Sequence, residues 1–116
     1  MGSLRNEKVS VEVKRALAEI IRSDVHDDRL SDMTSIADVQ VTGDLKFAKV
    51  YVSIYEKDER KRHLCVDALN HAAGFIRTKL SKKLSFRTVP QLTFILDDNI
   101  SYSFEIDRKI KEVLGK

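Results

Sequence analysis

Between Asn70 and Pro90 the chain carries Arg77, Lys79, Lys82, Lys83 and Arg87 and no Asp or Glu. A local run of cations without an acid is suited to neutralising a phosphate backbone, so the chemistry it points to is binding of a polyanion. The plainer reading is a solvated helix face. At about 100° per residue, Ile76, Leu80 and Leu84 fall in one narrow arc, with Lys79, Lys82 and Lys83 along one shoulder of it and Arg77 on the other. The lysine shoulder is the first choice for phosphate contact. Arg77, beside a helix kink, is balanced between phosphate contact and tying the helices together through carbonyls. Arg87 sits in the exposed link before a strand, and Asn70 and His71 lie at the kink, where freed amides and a polar side chain can meet sugar or phosphate.

Other constellations are weaker. Lys57, Arg60, Lys61 and Arg62 open a helix where cations oppose the helix dipole, which suits either an anion or simple solvation. Tyr51 and Tyr55 alternate with Lys49 on one strand, an arrangement able to stack bases but more commonly a set of cross-strand neighbours. Catalysis has little support. Asp97 and Asp98 are adjacent and read as a turn and cap rather than an acid–base pair, and Cys65 with His63 lacks the further ligands of a zinc site. The acidic stretch from Asp24 to Asp32 lacks the Gly and terminal Glu of a calcium hand. No metal site and no cofactor are expected.

The elements that must position the basic run follow from periodicity. Val9, Val13, Ala16, Leu17, Ile20 and Ile21 recur at steps of three and four and predict a first helix fading near Val25. Ala37, Val39 and Val41, then Ala48, Val50, Val52 and Ile54, alternate with polar residues and predict two half-buried strands. Gly43-Asp44-Leu45-Lys46 between them predicts an antiparallel hairpin in which Gly43 is free to take positive φ. Leu64, Cys65, Ala68, Leu69 and Ala72 predict a helix, which Gly74 divides from a second helix containing Ile76, Leu80 and Leu84. Leu92 to Leu96 is a third strand, and Phe104, Ile110, Val113 and Leu114 mark a final helix after a cap at Asp97-Asp98-Asn99. The order αββααβ gives an α+β fold with helices on one face of a three-stranded sheet.

Length and composition agree. The chain of 116 residues is one domain, 1–116, with 42% hydrophobic and 34% charged residues, one Pro and four Gly, which excludes collagen-like and low-complexity classes. No apolar run is long enough to cross a bilayer, and no secretory leader is evident. Cys65 is the single cysteine, so a reducing cytoplasm is the expected location. The net charge is +3, but acids collect between 21 and 44 while Lys and Arg collect between 57 and 87.

The order αββααβ resembles a type II KH module, although the GXXG loop by which KH domains hold nucleic acid is replaced here by Ala72-Ala73-Gly74, an Ala-x-Gly helix-kink-helix. Three segments resemble the ribosome-binding factor A family: Val39 to Leu45 running into Ala48 to Ser53, then Ala72-Ala73-Gly74-Phe75-Ile76-Arg77, then Leu84 to Phe94 closing on Asp97. That resemblance implies a monomeric, non-enzymatic assembly factor. Its partners would be the immature 30S small ribosomal subunit and its 16S rRNA, with a role in late maturation and 16S rRNA processing, above all at low temperature. The RNA-binding set it implies is Asn70, His71, Ala72, Gly74, Arg77, Lys79, Lys82, Lys83 and Arg87. The alternatives are a generic KH-like nucleic-acid binder and a small protein-interaction module.

Overall fold

In the computed structural model the described residues are 4–31, 33–84 and 89–97. Arg87, Asp98, Asn99 and the final helix expected from Phe104 to Leu114 lie outside them. The elements are α1 (Leu4–Ser23), β1 (Thr34–Val41), β2 (Phe47–Ile54), α2 (Glu59–His71), α3 (Ala73–Lys83) and β3 (Gln91–Leu96). The sheet order is β1-β2-β3, with β1 and β2 antiparallel and β2 and β3 parallel. A parallel partner for β2 requires a crossover, which α2 and α3 supply.

The six apolar residues that define the stripe of α1 are all buried, from Val9 to Ile21. They pack on Val39, Ala48, Val50, Val52, Leu92 and Phe94, so one face of the sheet carries the helices. The opposite face exposes Phe47, Lys49 and Tyr55. On it Lys49 has Gln40 and Thr93 as strand neighbours and half-buried Tyr51 has Asp38 and Ile95, so the two are flanked by ordinary cross-strand partners.

Three local expectations are corrected. First, β1 does not alternate simply through Ala37. The register shifts between Ile36 and Asp38, which leaves Ala37 as the extra residue of a bulge and turns Ile36 toward the core.

Second, positive φ falls on Leu45 (63°) rather than Gly43. The turn is held by the Thr42 N–H donating to the Phe47 carbonyl (2.9 Å) and the Leu45 N–H donating to the Thr42 carbonyl (2.9 Å). The Thr42 hydroxyl donates to Asp44 Oδ1 (2.7 Å), which also accepts from the Lys46 N–H (3.0 Å). This places the Leu45 side chain in the core at 6% exposure.

Third, the inner stripe of α2 is Arg62, Cys65, Val66, Ala68 and Leu69, while Leu64 is 37% exposed. Leu64 lies about 200° around the helix from Arg62, on the far side of the seam.

Candidate nucleic-acid interface

α2 begins under Asp58, whose side chain accepts from the Arg60 N–H at 2.9 Å, while Asp58's own N–H donates to Glu56. A carboxylate therefore occupies the helix start at which four cations suggest an anion. Arg62 turns inward at 4% exposure and donates through one guanidinium nitrogen to the carbonyls of Glu56 and Lys57. It holds the β2–α2 connection from inside and is withdrawn from any ligand.

The kink falls at Ala72, two residues before the expected glycine. The Ala72 N–H is shared between the carbonyls of Ala68 (3.0 Å) and Leu69 (3.1 Å), which ends α2, and the Ala72 carbonyl accepts from Ile76 (2.9 Å), which starts α3. Ala72 offers no side-chain cap, and α3 has no acid in its first turn. The cap residue and first turn of that helix thus supply no side chain that compensates its positive end.

Gly74 lies inside the first turn of α3 and is exposed. A Cβ built on it meets nothing within 4 Å, and its φ is outside the left-handed region. Among the described residues, neither close packing nor a special backbone conformation accounts for a glycine there. The helix surface at Gly74 is open to the approach of another molecule.

Below Gly74 the exposed side of α3 carries Phe75, Thr78, Ser81 and Lys82, with Lys79 half-buried beside them. Phe75 is 49% exposed, and Lys79 Nζ stands 5.5 Å from the centre of its ring. Phe75 is absent from the residues that sequence reasoning selects, although its offset from the buried Ile76, Leu80 and Leu84 arc is a readable sign of exposure. An exposed ring, a cation above it and a bare helix backbone can stack a base and hold phosphate in one patch.

The remaining predicted residues divide. Lys82 is exposed with no ion pair among the described residues, whereas Lys83 Nζ lies 3.2 Å from Glu19 Oε1 on α1. Arg77 donates to the Val89 carbonyl through Nε (3.3 Å) and a terminal nitrogen (2.9 Å), tying α3 to the approach to β3. Both heteroatoms of the Asn70 carboxamide are bonded to the backbone of Phe94. Exposed His71 lies within electrostatic reach of Asp27, whose carboxyl is held down to about 2, chiefly by the side-chain and backbone hydrogen bonds from Arg29 and to a lesser degree by His71. Ala72, Gly74, Lys79 and Lys82 therefore form one surface with Phe75, while Asn70, Arg77 and Lys83 border it and are engaged with the rest of the fold.

No group of three or more metal-ligating side chains lies together among the described residues. Cys65 is buried, its Sγ 3.3 Å from the Thr34 hydroxyl. No described helix is long and apolar enough to cross a membrane.

The sequence pattern of the family described as ribosome-binding factor A matches residues 5–110. The chain is similar to the ribosome-binding factor A of Clostridium botulinum (strain Eklund 17B / Type B), at 41% identity over 116 residues and 100% of both chains. It resembles the crystal structure of ribosome-binding factor A from Thermus thermophilus, with TM-score 0.66, 26% identity, and 78% of this chain and 94% of that one covered. Thermus thermophilus ribosome-binding factor A coordinates fitted into the cryo-EM map of its complex with the 30S subunit match with TM-score 0.63 and 27% identity, covering 77% of this chain and 91% of that one.

Proposed function

The chain belongs to the ribosome-binding factor A family, and from that membership and the open face of α3 we propose that it binds the free, immature 30S subunit and contacts its 16S rRNA. Support for the partner comes from the Thermus thermophilus relative fitted into a 30S complex. The observation that carries the reading of the site is Gly74: an exposed helix position with nothing within 4 Å of a would-be Cβ, on the same short helix as exposed Phe75 and half-buried Lys79.

In this reading the RNA backbone approaches α3 at Ala72 and Gly74, Phe75 meets an unpaired base or sugar, and Lys79 and Lys82 meet phosphate. Lys83 supplies positive charge at the margin and His71 a polar side chain, Arg87 is a further cation for the RNA, and Asn70 and Arg77 hold the surface in shape. No bond is made or broken. A protein that binds one arrangement of an RNA better than its competitors shifts the population toward it, which is sufficient for an assembly factor and explains a greater need in the cold, where mispaired helices escape slowly. Late maturation and 16S rRNA processing follow as consequences of that shift, and the chain acts in the cytoplasm as a monomer.

The test is cosedimentation with free small subunits and with whole ribosomes over a series of salt concentrations. Replacing Lys79, Lys82 and Lys83 by Ala is expected to weaken binding and flatten its salt dependence, since fewer counterions are released, with an unchanged circular dichroism spectrum. The Lys79→Ala, Lys82→Ala pair carries most of the loss, because Lys83 is engaged with Glu19. Unaltered affinity and salt slope in the triple variant remove this face from the mechanism.

A further inference from the structure

β1 is an outer strand of the sheet, and its outward edge faces a groove. The phase of the strand is set by the Tyr55 N–H, which donates to the Met33 carbonyl at 3.1 Å. With the two-residue period of an antiparallel ladder, Ser35 opposite Ser53 is the next hydrogen-bonded pair. Thr34 and Ile36 therefore turn their N–H and C=O groups away from β2. There the groove, about 910 Å³, runs between Thr34, Ser35 and Ile36 on one side and α1 on the other, with the 25–31 segment at its end.

The walls differ in character. Val11, Ala18 and Ile21 of α1 with Leu30 and Ile36 form its apolar part, while Lys14, Arg15 and Arg22 line the helix side. The acids present are Asp27, which is held by Arg29 in a two-pronged pair, and Asp28. Lys14 Nζ already reaches the carbonyl of the bulge residue Ala37 at 3.4 Å, which ends the open stretch of edge.

We propose that this groove binds an extended acidic-apolar peptide segment of a partner protein, which joins β1 as a fourth strand. Alternate apolar side chains enter between Ala18 and Ile36, carboxylates meet Arg15 and Arg22, and the peptide backbone pairs with the outward groups of Thr34 and Ile36. RNA fits less well, because its donors and acceptors do not alternate at the repeat of a strand, as peptide N–H and C=O groups do, and a phosphate backbone has no use for the apolar side chains of the walls. A second copy fits less well too, because pairing β1 with β1 brings two sets of Lys14, Arg15 and Arg22 toward each other. The inference is independent of the RNA-binding face on α3.

The test titrates three probes into the isotope-labelled full-length chain and follows backbone amide resonances: a capped ten-residue peptide alternating Val and Glu, the same peptide with Lys for Glu, and a uridine decanucleotide. The Val-Glu peptide is expected to shift Thr34, Ser35, Ile36 and Ala18 and to slow exchange of the Thr34 and Ile36 amides. Ala18→Trp, which fills the groove from an exposed helix position, and Arg15→Glu with Arg22→Glu should each weaken it at least tenfold. Ala18→Trp should leave cosedimentation with free small subunits unchanged. The proposal is overturned if the Val-Glu peptide produces no shifts at millimolar concentration, or if the Lys peptide or the uridine oligomer acts equally well at these residues. Concentration-dependent dimer contacts at β1, or nuclear Overhauser contacts from residues 98–116 to Ala18 or Ile36 in the free chain, would equally overturn it by assigning the groove another occupant.

Discussion

Asn70 stands in for a missing strand at Phe94. Its Nδ2 donates to the Phe94 carbonyl at 2.9 Å, and its Oδ1 accepts from the Phe94 N–H at 2.8 Å. The Gln91 and Asp97 amides both donate to β2, to the carbonyls of Lys46 and Val52, so by the period of a parallel ladder Phe94 points its backbone outward, away from the sheet. The carboxamide of α2 caps that edge and fixes the helix pair against β3. This bounds how far the kink can move relative to the sheet, and so where Gly74 and Lys79 stand.

Asn70→Ala leaves one N–H and one carbonyl at a partly wetted edge, which costs about 1 to 2 kcal/mol. Urea denaturation should show a lower midpoint with an unchanged m-value. Asn70→Asp keeps the acceptor but sets a carboxylate against the Phe94 carbonyl, so it should not recover the loss. If Asn70→Ala instead unfolds at the wild-type midpoint while small-subunit binding falls, Asn70 contacts RNA and its pairing with Phe94 is incidental.

The carboxyl of Asp27 lies between the Arg29 backbone N–H (2.8 Å) and the guanidinium, Nε at 3.1 Å and a terminal nitrogen at 3.0 Å. These bonds hold it down to about 2 from an ordinary value of 3.8. A depressed folded-state value means the stabilising contribution is complete above the ordinary carboxylate range and is lost as pH falls toward about 2. Because the pair is at the surface, the sensitive readout is the carboxyl carbon-13 shift of Asp27, with a midpoint near 2. In Arg29→Ala the midpoint should return most of the way to the ordinary value, with the backbone N–H retaining part of the shift. Asp44 is lowered first by the Thr42 hydroxyl and then by the Lys46 N–H, so Thr42→Val should raise it without restoring it fully.

Much of the fold was legible because it rests on periodicity. The α1 stripe, the parity of β2 and the Ile76-Leu80-Leu84 arc are each settled by neighbours within the same element. What escaped depends on distant partners. Arg62 turns back on the carbonyls of Glu56 and Lys57, which lie before the start of α2 and so outside its helical period, and the acceptor of Arg77 is twelve residues away. The same holds at the candidate site. The lysines were visible as a charge run, and the offset of Phe75 from the buried arc was readable too, but the engagement of Lys83 by Glu19 spans 64 residues.

At the hairpin, the energetic roles of Gly43 and Leu45 are the reverse of those their residue types suggest. Leu45→Gly relieves left-handed strain of about 1 to 2 kcal/mol, yet removes a buried leucine that contributes about 2 to 3 kcal/mol or more once the cavity is included. Burial wins, so Leu45→Gly should lower stability by about 1 to 2 kcal/mol in denaturant titrations. Gly43→Ala should be nearly neutral, since its Cβ meets nothing within 4 Å and its φ is not left-handed. A large loss for Gly43→Ala with none for Leu45→Gly would show that the turn has a different backbone.

Gly74→Ala separates folding from binding at the kink. In the isolated chain the added methyl enters open space in the first turn of a helix, where Ala is favoured over Gly by up to about 1 kcal/mol. The thermal midpoint should therefore hold or rise by a few degrees. If a phosphate backbone lies against this turn, the same methyl stands where that backbone must pass, and affinity for free small subunits should drop at least tenfold. Gly74→Val should reduce binding further while losing the gain in helix propensity, because its branched side chain is larger and stiffer. A variant that melts higher and still cosediments as the wild type would place the contact away from Gly74, leaving Phe75, Lys79 and Lys82 to hold RNA without close backbone approach.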